Sequence, residues 1–164
     1  MAKVVLKLGD DISTDIIYPG RFMATVLPTE TPQYTFADIT EFNAHLKKGE
    51  IPPGSVVVGG KNFGCGSSRE QAASCLNGSG LVVIARNFAR IFQQNSINLG
   101  LTLIICPDLE ANEGDELVLT GNSVVNQTSG KSFETLPLPK SLQATLDAGG
   151  LIPYTRQRLL LGKK

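Results

Sequence analysis

The chain has 164 residues, 15 of them basic and 15 acidic, so its net charge is near zero. That length suits one domain with a proper core, and the balanced charge lacks the basic excess or stripe of a nucleic-acid binder. The longest apolar runs, residues 81–85 and 101–106, fall far short of the roughly 20 residues that a membrane span needs.

Residues 3–8 read as a first strand and Gly9-Asp10-Asp11 as turn chemistry. Residues 12–23, ISTDIIYPGRFM, place Ser-Thr-Asp before two isoleucines and a Pro-Gly turn, which predicts a loop entering a short strand and then a second loop. Taken locally, Asp15 caps a turn and Arg21 is a solvated surface side chain. Residues 27–34 hold Pro28 and Pro32 among threonines and predict a loop with few anchoring residues. Phe36, Ile39, Phe42 and Leu46 recur at helical spacing, with Thr35 as a candidate cap and Gly49 as a stop. The single histidine, His45, stands near that helix end beside Lys47 and Lys48. It reads as a surface residue favoured by the helix dipole.

Residues 55–58 predict the strand that feeds the most informative stretch, GGKNFGCGSSREQAA at 59–73. Ser67-Ser68-Arg69-Glu70 fits the capping-box pattern, with Ser67 as N-cap of a helix running to Leu76. Such a junction offers free N–H groups and the positive end of a helix dipole, which suit an anion. Glycines let the backbone approach a ligand closely, and Arg69 can meet a carboxylate or phosphate with two parallel hydrogen bonds. The capping pattern alone favours a purely structural helix start. Residues 81–85 predict a buried strand, 88–99 a helix ended by Gly100, and 101–106 a second buried strand. Turns at Gly121-Asn122 and Thr128-Ser129-Gly130 predict an antiparallel meander over 116–134. Residues 139–148 read as a helix, and the apolar and basic tail 151–164 as a segment that docks on the domain or on a partner. Buried strands of parallel type alternate with helices, and a hairpin follows, so the pattern alone gives α/β or α+β.

Cys65, Cys75 and Cys106 are odd in number and lack C-x-x-C spacing. That argues against a disulfide scaffold and against a zinc or iron–sulfur site held by this chain alone. The N-terminus, MAKVVLKLGDD, has no long apolar stretch and no cleavage site, so no signal peptide is expected and a reducing cytoplasm is the natural setting.

FGCGSSRE, placed after a strand and opening a helix, resembles the G-R-N-F-G-C-G-S-S-R-E-H-A signature of the isopropylmalate dehydratase small-subunit family, relatives of aconitase. Two more strings agree in order. DISTDIIYPGRF is similar to that family's D-x-D-T-D-x-I-I-P-A-R-F, and the segment from Phe88 to Gly100 is similar to S-F-A-R-I-F-x-x-N-x-I-N-x-G. Together they cover roughly residues 3–160. The departures are an inserted Tyr18, Ala24 where some archaeal relatives carry arginine, and Gln71 in place of histidine.

The resemblance implies the α/β class, as a swivelling β/β/α domain spanning residues 1–164 as a separate subunit. It implies a hydro-lyase that isomerises 2-isopropylmalate to 3-isopropylmalate by dehydration and rehydration in leucine biosynthesis. Ser67 would be the catalytic base and Asp15 an active-site aspartate. Arg69, Ser68 and Arg21 would bind the hydroxy-dicarboxylate, and Phe22 and Met23 would face its alkyl arm. No cofactor is expected on this chain; a [4Fe-4S] cluster is expected in a large-subunit partner. Other hydroxy-diacids (dimethylmalate, citramalate or homocitrate type) fit the same mechanism. A non-catalytic anion-binding module is a different reading, and the missing P-loop lysine and G-x-G-x-x-G weaken it.

Overall fold

The first strand, β1 (Ala2–Lys7), stands in the middle of a seven-stranded sheet and divides it into two kinds of pairing. On one side β2 (Val56–Val58), β3 (Val82–Ala85) and β4 (Leu103–Ile105) follow in parallel register. On the other, β5 (Glu116–Leu119), β6 (Ser123–Asn126) and β7 (Lys131–Glu134) form the antiparallel meander. Two turns that demand left-handed or tight backbone link the meander strands, and Gly130 supplies φ +72° at one of them. The sheet curls until its edges meet, with the Leu136 N–H donating to the Ile105 carbonyl at 2.8 Å. The computed structural model describes residues 1–162.

Alternation along each strand sends side chains to two cores. Val57 and Val83 join Phe63, Leu76 and Phe92 on the helical face, whereas Val56, Val58 and Ile84 join Leu117 and Val124 inside the curl. Val4 and Leu6 are two apart and by pleat parity share a face, yet they belong to different cores. A register shift between them flips the parity.

The helical face carries α2 (Thr40–Lys47), α3 (Gln71–Gly78) and α4 (Arg90–Leu99). Gly100 ends α4 with φ +82°, the left-handed stop expected of a glycine there. Then α5 (Lys140–Asp147) and α6 (Leu151–Leu161) pack beside α4. The tail expected over 151–164 is therefore mostly a helix, with Lys163 and Lys164 outside the described residues.

Three local expectations fail for identifiable reasons. Residues 12–23 hold no strand. Ser13 caps a one-turn helix, α1 (Thr14–Ile17), by accepting from Ile16 N–H at 3.3 Å, and a 3-10 turn follows at Gly20–Phe22. Thr35 does not cap a helix beginning at Phe36. Phe36 has φ +49° and its N–H donates to Ile17, so α2 starts only at Thr40. The Thr35 hydroxyl instead meets the Cys75 carbonyl and the Ser79 hydroxyl, while that of Thr31 meets Ser74 at 3.0 Å. These buried bonds anchor a loop whose sequence advertises few anchors. Finally, α3 starts at Gln71, and its N-cap Glu70 makes no side-chain capping bond. The capping box predicted at Ser67 is not formed, because both the Ser67 hydroxyl and its N–H are engaged elsewhere.

Candidate active site

Two loops leave the C-terminal ends of neighbouring parallel strands and run side by side. One leads from β1 into α1, the other from β2 towards α3. They are joined by backbone hydrogen bonds, Gly64 N–H to Ile12 O at 2.7 Å and Thr14 N–H to Cys65 O at 2.7 Å. Gly64 is indispensable to this approach: its φ is +81°, and a Cβ there would stand 2.1 Å from the ring of Phe92. The pairing brings residues some fifty positions apart into contact.

The contact is a continuous polar chain. Asp15 Oδ1 accepts from Arg69 Nη2 at 2.6 Å, and Arg69 Nε donates to Ser67 Oγ at 2.6 Å. Ser67 Oγ lies 3.1 Å from Thr14 Oγ1, which also accepts the Ser67 N–H at 3.1 Å. Arg69 is mostly covered, its side chain 19% exposed against 61% for Asp15. The third guanidinium nitrogen, Nη1, is buried and has no acceptor among the described residues. Gly20 covers it so closely that a Cβ would sit 2.8 Å from Nη1 and 3.1 Å from Asp15 Oδ1.

Chemically this is a serine oxygen held by a fixed cation. A guanidinium donating directly to Oγ favours the alkoxide over the alcohol. Of the helix end and the nearby guanidinium that the sequence offers for this, the geometry leaves the arginine, since α3 begins four residues later. Asp15 fixes the far edge of the guanidinium, and Thr14 fixes the serine itself.

Ser68 is exposed, and its carbonyl accepts from Asn95 Nδ2 on α4 at 3.1 Å, which ties the serine loop to that helix. Arg21 is not part of the polar chain. It forms a two-pronged pair with Asp38 and lies 4.6 Å over the Phe22 ring. Phe22 stacks on Tyr34 with centroids 4.1 Å apart. Met23 is 48% exposed, and Val26 and Leu27 continue the same exposed apolar segment. The inserted Tyr18 is buried, with its hydroxyl 3.1 Å from the Phe22 carbonyl and 3.2 Å from that of Thr25. Gln71 reaches the Met23 carbonyl at 3.4 Å, so it too touches this segment.

Thr14 and Asn95 were not singled out from sequence as site residues. A hydroxyl directly before Asp15 is the only sequence signal for Thr14, and its burial, which makes the contact strong, is a property of the fold. His45 pairs with Glu50 on the surface at the end of α2, away from the polar chain.

The residues do not fit an iron–sulfur cluster. Among the described residues no three His, Cys, Asp or Glu side chains gather as a metal-binding group. Cys75 and Cys106 are buried, and burial pushes their thiols up to about 12 and about 11. Cys65 is half-buried on the glycine loop. No described helix is long and apolar enough to cross a membrane.

Comparison with known proteins gives a consistent picture. The profile of the aconitase C-terminal domain matches residues 12–108. The chain is 42% identical to the 3-isopropylmalate dehydratase small subunit of Thermodesulfovibrio yellowstonii, covering 94% of this chain and 93% of that one. It is also 42% identical to the isopropylmalate/citramalate isomerase small subunit of Methanocaldococcus jannaschii, over 94% of this chain and 93% of that one. The crystal structure of a 3-isopropylmalate dehydratase protein, LeuD, from Methanocaldococcus jannaschii superposes with a TM-score of 0.88 at 37% identity, covering 98% of this chain and 96% of that one.

Proposed function

Because the chain belongs to the aconitase C-terminal domain family, and resembles its dehydratase small subunits over almost its full length, we propose that it is the small subunit of a 3-isopropylmalate dehydratase. It works with a large subunit, in the cytoplasm, on the leucine route. The observation that carries this reading is the hydrogen-bonded chain Asp15–Arg69–Ser67–Thr14.

In the proposed mechanism Ser67 Oγ takes the proton from the carbon beside a substrate carboxylate and returns it in the rehydration half. Arg69 lowers the cost of the alkoxide through Nε and offers Nη1 to a substrate carboxylate. A buried donor without an acceptor costs roughly 1–3 kcal/mol, so the carboxylate that meets Nη1 recovers that penalty. Gly20 must move aside for it, which makes the Gly20–Phe22 turn the element that responds to substrate. Ser68 contributes a hydroxyl at the open side of the loop. Arg21 exchanges Asp38 for the second carboxylate. The Lewis-acid chemistry at the departing hydroxyl is assigned to a [4Fe-4S] cluster on the large subunit.

The half-buried Phe22 and the exposed Met23-Ala24, continued by Val26 and Leu27, support an alkyl arm and offer no cation for a third carboxylate. Citramalate is the second reading, since its methyl arm suits the same surface. Co-expression with the large subunit from the same genome under anaerobic conditions, followed by hydration assays on 2-isopropylmaleate, citraconate, dimethylmaleate and cis-homoaconitate, tests the proposal. Turnover of the isopropyl compound, abolished in Ser67→Ala and reduced at least about a hundredfold in Arg69→Lys, is the expected result. Full turnover by the Ser67→Ala complex would remove the serine from the mechanism.

A further inference from the structure

A cavity of about 620 Å³ opens at the C-terminal ends of β1, β2 and β3, within the range of roughly 300–1,000 Å³ typical of small-molecule sites. It lies beyond the end of β1, between the loops that follow the parallel strands and the antiparallel meander. The carboxyl ends of parallel strands are where α/β sheets commonly place ligands. Its floor is backbone from three neighbouring strand ends. Gly60 N–H donates to Gly9 O at 2.9 Å, and Arg86 N–H donates to Gly60 O at 3.1 Å. None of Asp15, Ser67 and Arg69 lines it.

Lys7, Lys61, Arg86 and Lys131 line the cavity against Asp10, Glu110 and Asp115. The carboxylates are already committed. Asp10 Oδ1 accepts the Lys61 N–H at 2.7 Å, held so close to Gly60 that a Cβ there would stand 2.0 Å away. Asp115 accepts from the Asn112 N–H at 2.9 Å and from Asn126 Nδ2 at 2.8 Å, and these bonds keep its carboxyl below the usual range. Glu110 is paired with Lys131. The other ion pairs of the described residues are Arg21–Asp38, His45–Glu50 and Arg69–Asp15. Among the described residues Lys7, Lys61 and Arg86 therefore make no direct ion pair, although Lys7 acts on Asp115 through its charge, and Lys7 Nζ donates to the Asn112 amide oxygen at 2.9 Å.

Four cations against three carboxylates leave this concave, glycine-floored space one positive charge in excess, which favours an anion. We propose that this cavity binds a small dianion, a phosphate or a dicarboxylate, with the Arg86 fork gripping two of its oxygens and Lys61 and Lys7 completing the charge. The inference does not depend on the activity proposed above.

Calorimetric titration of the full-length chain at low salt, with inorganic phosphate and separately with succinate, tests it. Saturable binding is expected, weakened at least about tenfold in Lys61→Gln/Arg86→Gln and left within twofold of wild type in Arg158→Gln, an exposed cation on α6 outside the cavity. Both substituted residues are exposed, so the fold is retained; Lys61→Gln alone, with a smaller loss, is the second variant. Tighter phosphate identifies a phosphoryl ligand, and tighter succinate a dicarboxylate. No saturable binding of either anion in the millimolar range, or equal affinity in wild type and the double variant, overturns the proposal.

Discussion

Replacing Thr14 by valine asks whether the hydroxyl behind Ser67 matters for chemistry or only for stability. The threonine is 1% exposed, and its Oγ1 serves both the Ser67 N–H and the Ser67 hydroxyl, each at 3.1 Å. Valine keeps the shape and deletes both contacts. The serine N–H loses its acceptor in a partly buried place, a cost of about 1–2 kcal/mol. For a chain of this size that lowers the melting temperature by about 2–8 °C. The catalytic effect is separate. Ser67 Oγ would keep Arg69 as a donor but lose the partner that fixes its rotamer, and misplacement of a reacting atom by about 1 Å costs up to a hundredfold. With the assembled enzyme, Thr14→Val is expected to lower kcat by about ten- to a hundredfold with KM nearly unchanged. Thr14→Ser, which restores the hydroxyl without the methyl, is expected to recover most of the rate. Equal kcat in wild type and Thr14→Val would show that Arg69 alone positions the serine. A Thr14→Ser rate as low as that of Thr14→Val would show that the hydroxyl alone does not position the serine.

Two further outcomes follow from the same geometry. Tyr18→Phe removes a buried hydroxyl that tethers the Phe22 and Thr25 carbonyls. It should cost about 1 kcal/mol and speed amide hydrogen exchange between residues 22 and 27, and unchanged exchange there would refute the tether. Iodoacetamide at pH 8 should modify only Cys65 in the folded chain and all three cysteines in urea, read by mass spectrometry. Burial raises the Cys75 thiol to about 12 and the Cys106 thiol to about 11, which leaves on the order of one thiolate in 10⁴ and one in 10³ at that pH. Labelling of Cys75 at the rate of Cys65 would contradict the packing of α3.

What the sequence made legible was whatever depends on local pattern. The apolar runs at 81–85 and 101–106 became β3 and β4, and the glycine-punctuated meander became β5 to β7, because burial and turn chemistry act over a few residues. The family resemblance placed Asp15, Ser67 and Arg69 in one site, and the geometry joins all three. What was not legible depended on distant partners. Ser67 has a good N-cap sequence, yet Arg69 and Thr14 outcompete the helix for its hydroxyl. Thr35 looks like a cap, yet α3 claims it. Phe36 reads as the first apolar position of a helix, yet its place against Phe42 in the core and its bond to Ile17 hold it at positive φ. In each case a tertiary contact of higher value overrode a local preference worth about 1 kcal/mol.

The exposure of the site bears on why the proposed enzyme needs two subunits. Asp15 is 61% exposed, so its pair with Arg69 is screened by water in the separate chain. Exposed pairs of this kind contribute only about 0–1 kcal/mol, a weak hold on a guanidinium that must stay aimed at Ser67. A partner covering Asp15 and the exposed Met23–Leu27 segment would lower the local dielectric and strengthen both hydrogen bonds of Arg69 at once. The same closure would press on the Gly20–Phe22 turn that lies over Nη1. On the proposed mechanism, assembly then does more than bring the two halves of the chemistry together. It shields Asp15, the one member of the polar chain that the separate chain leaves open to water, and so tightens the hold on the guanidinium that tunes Ser67.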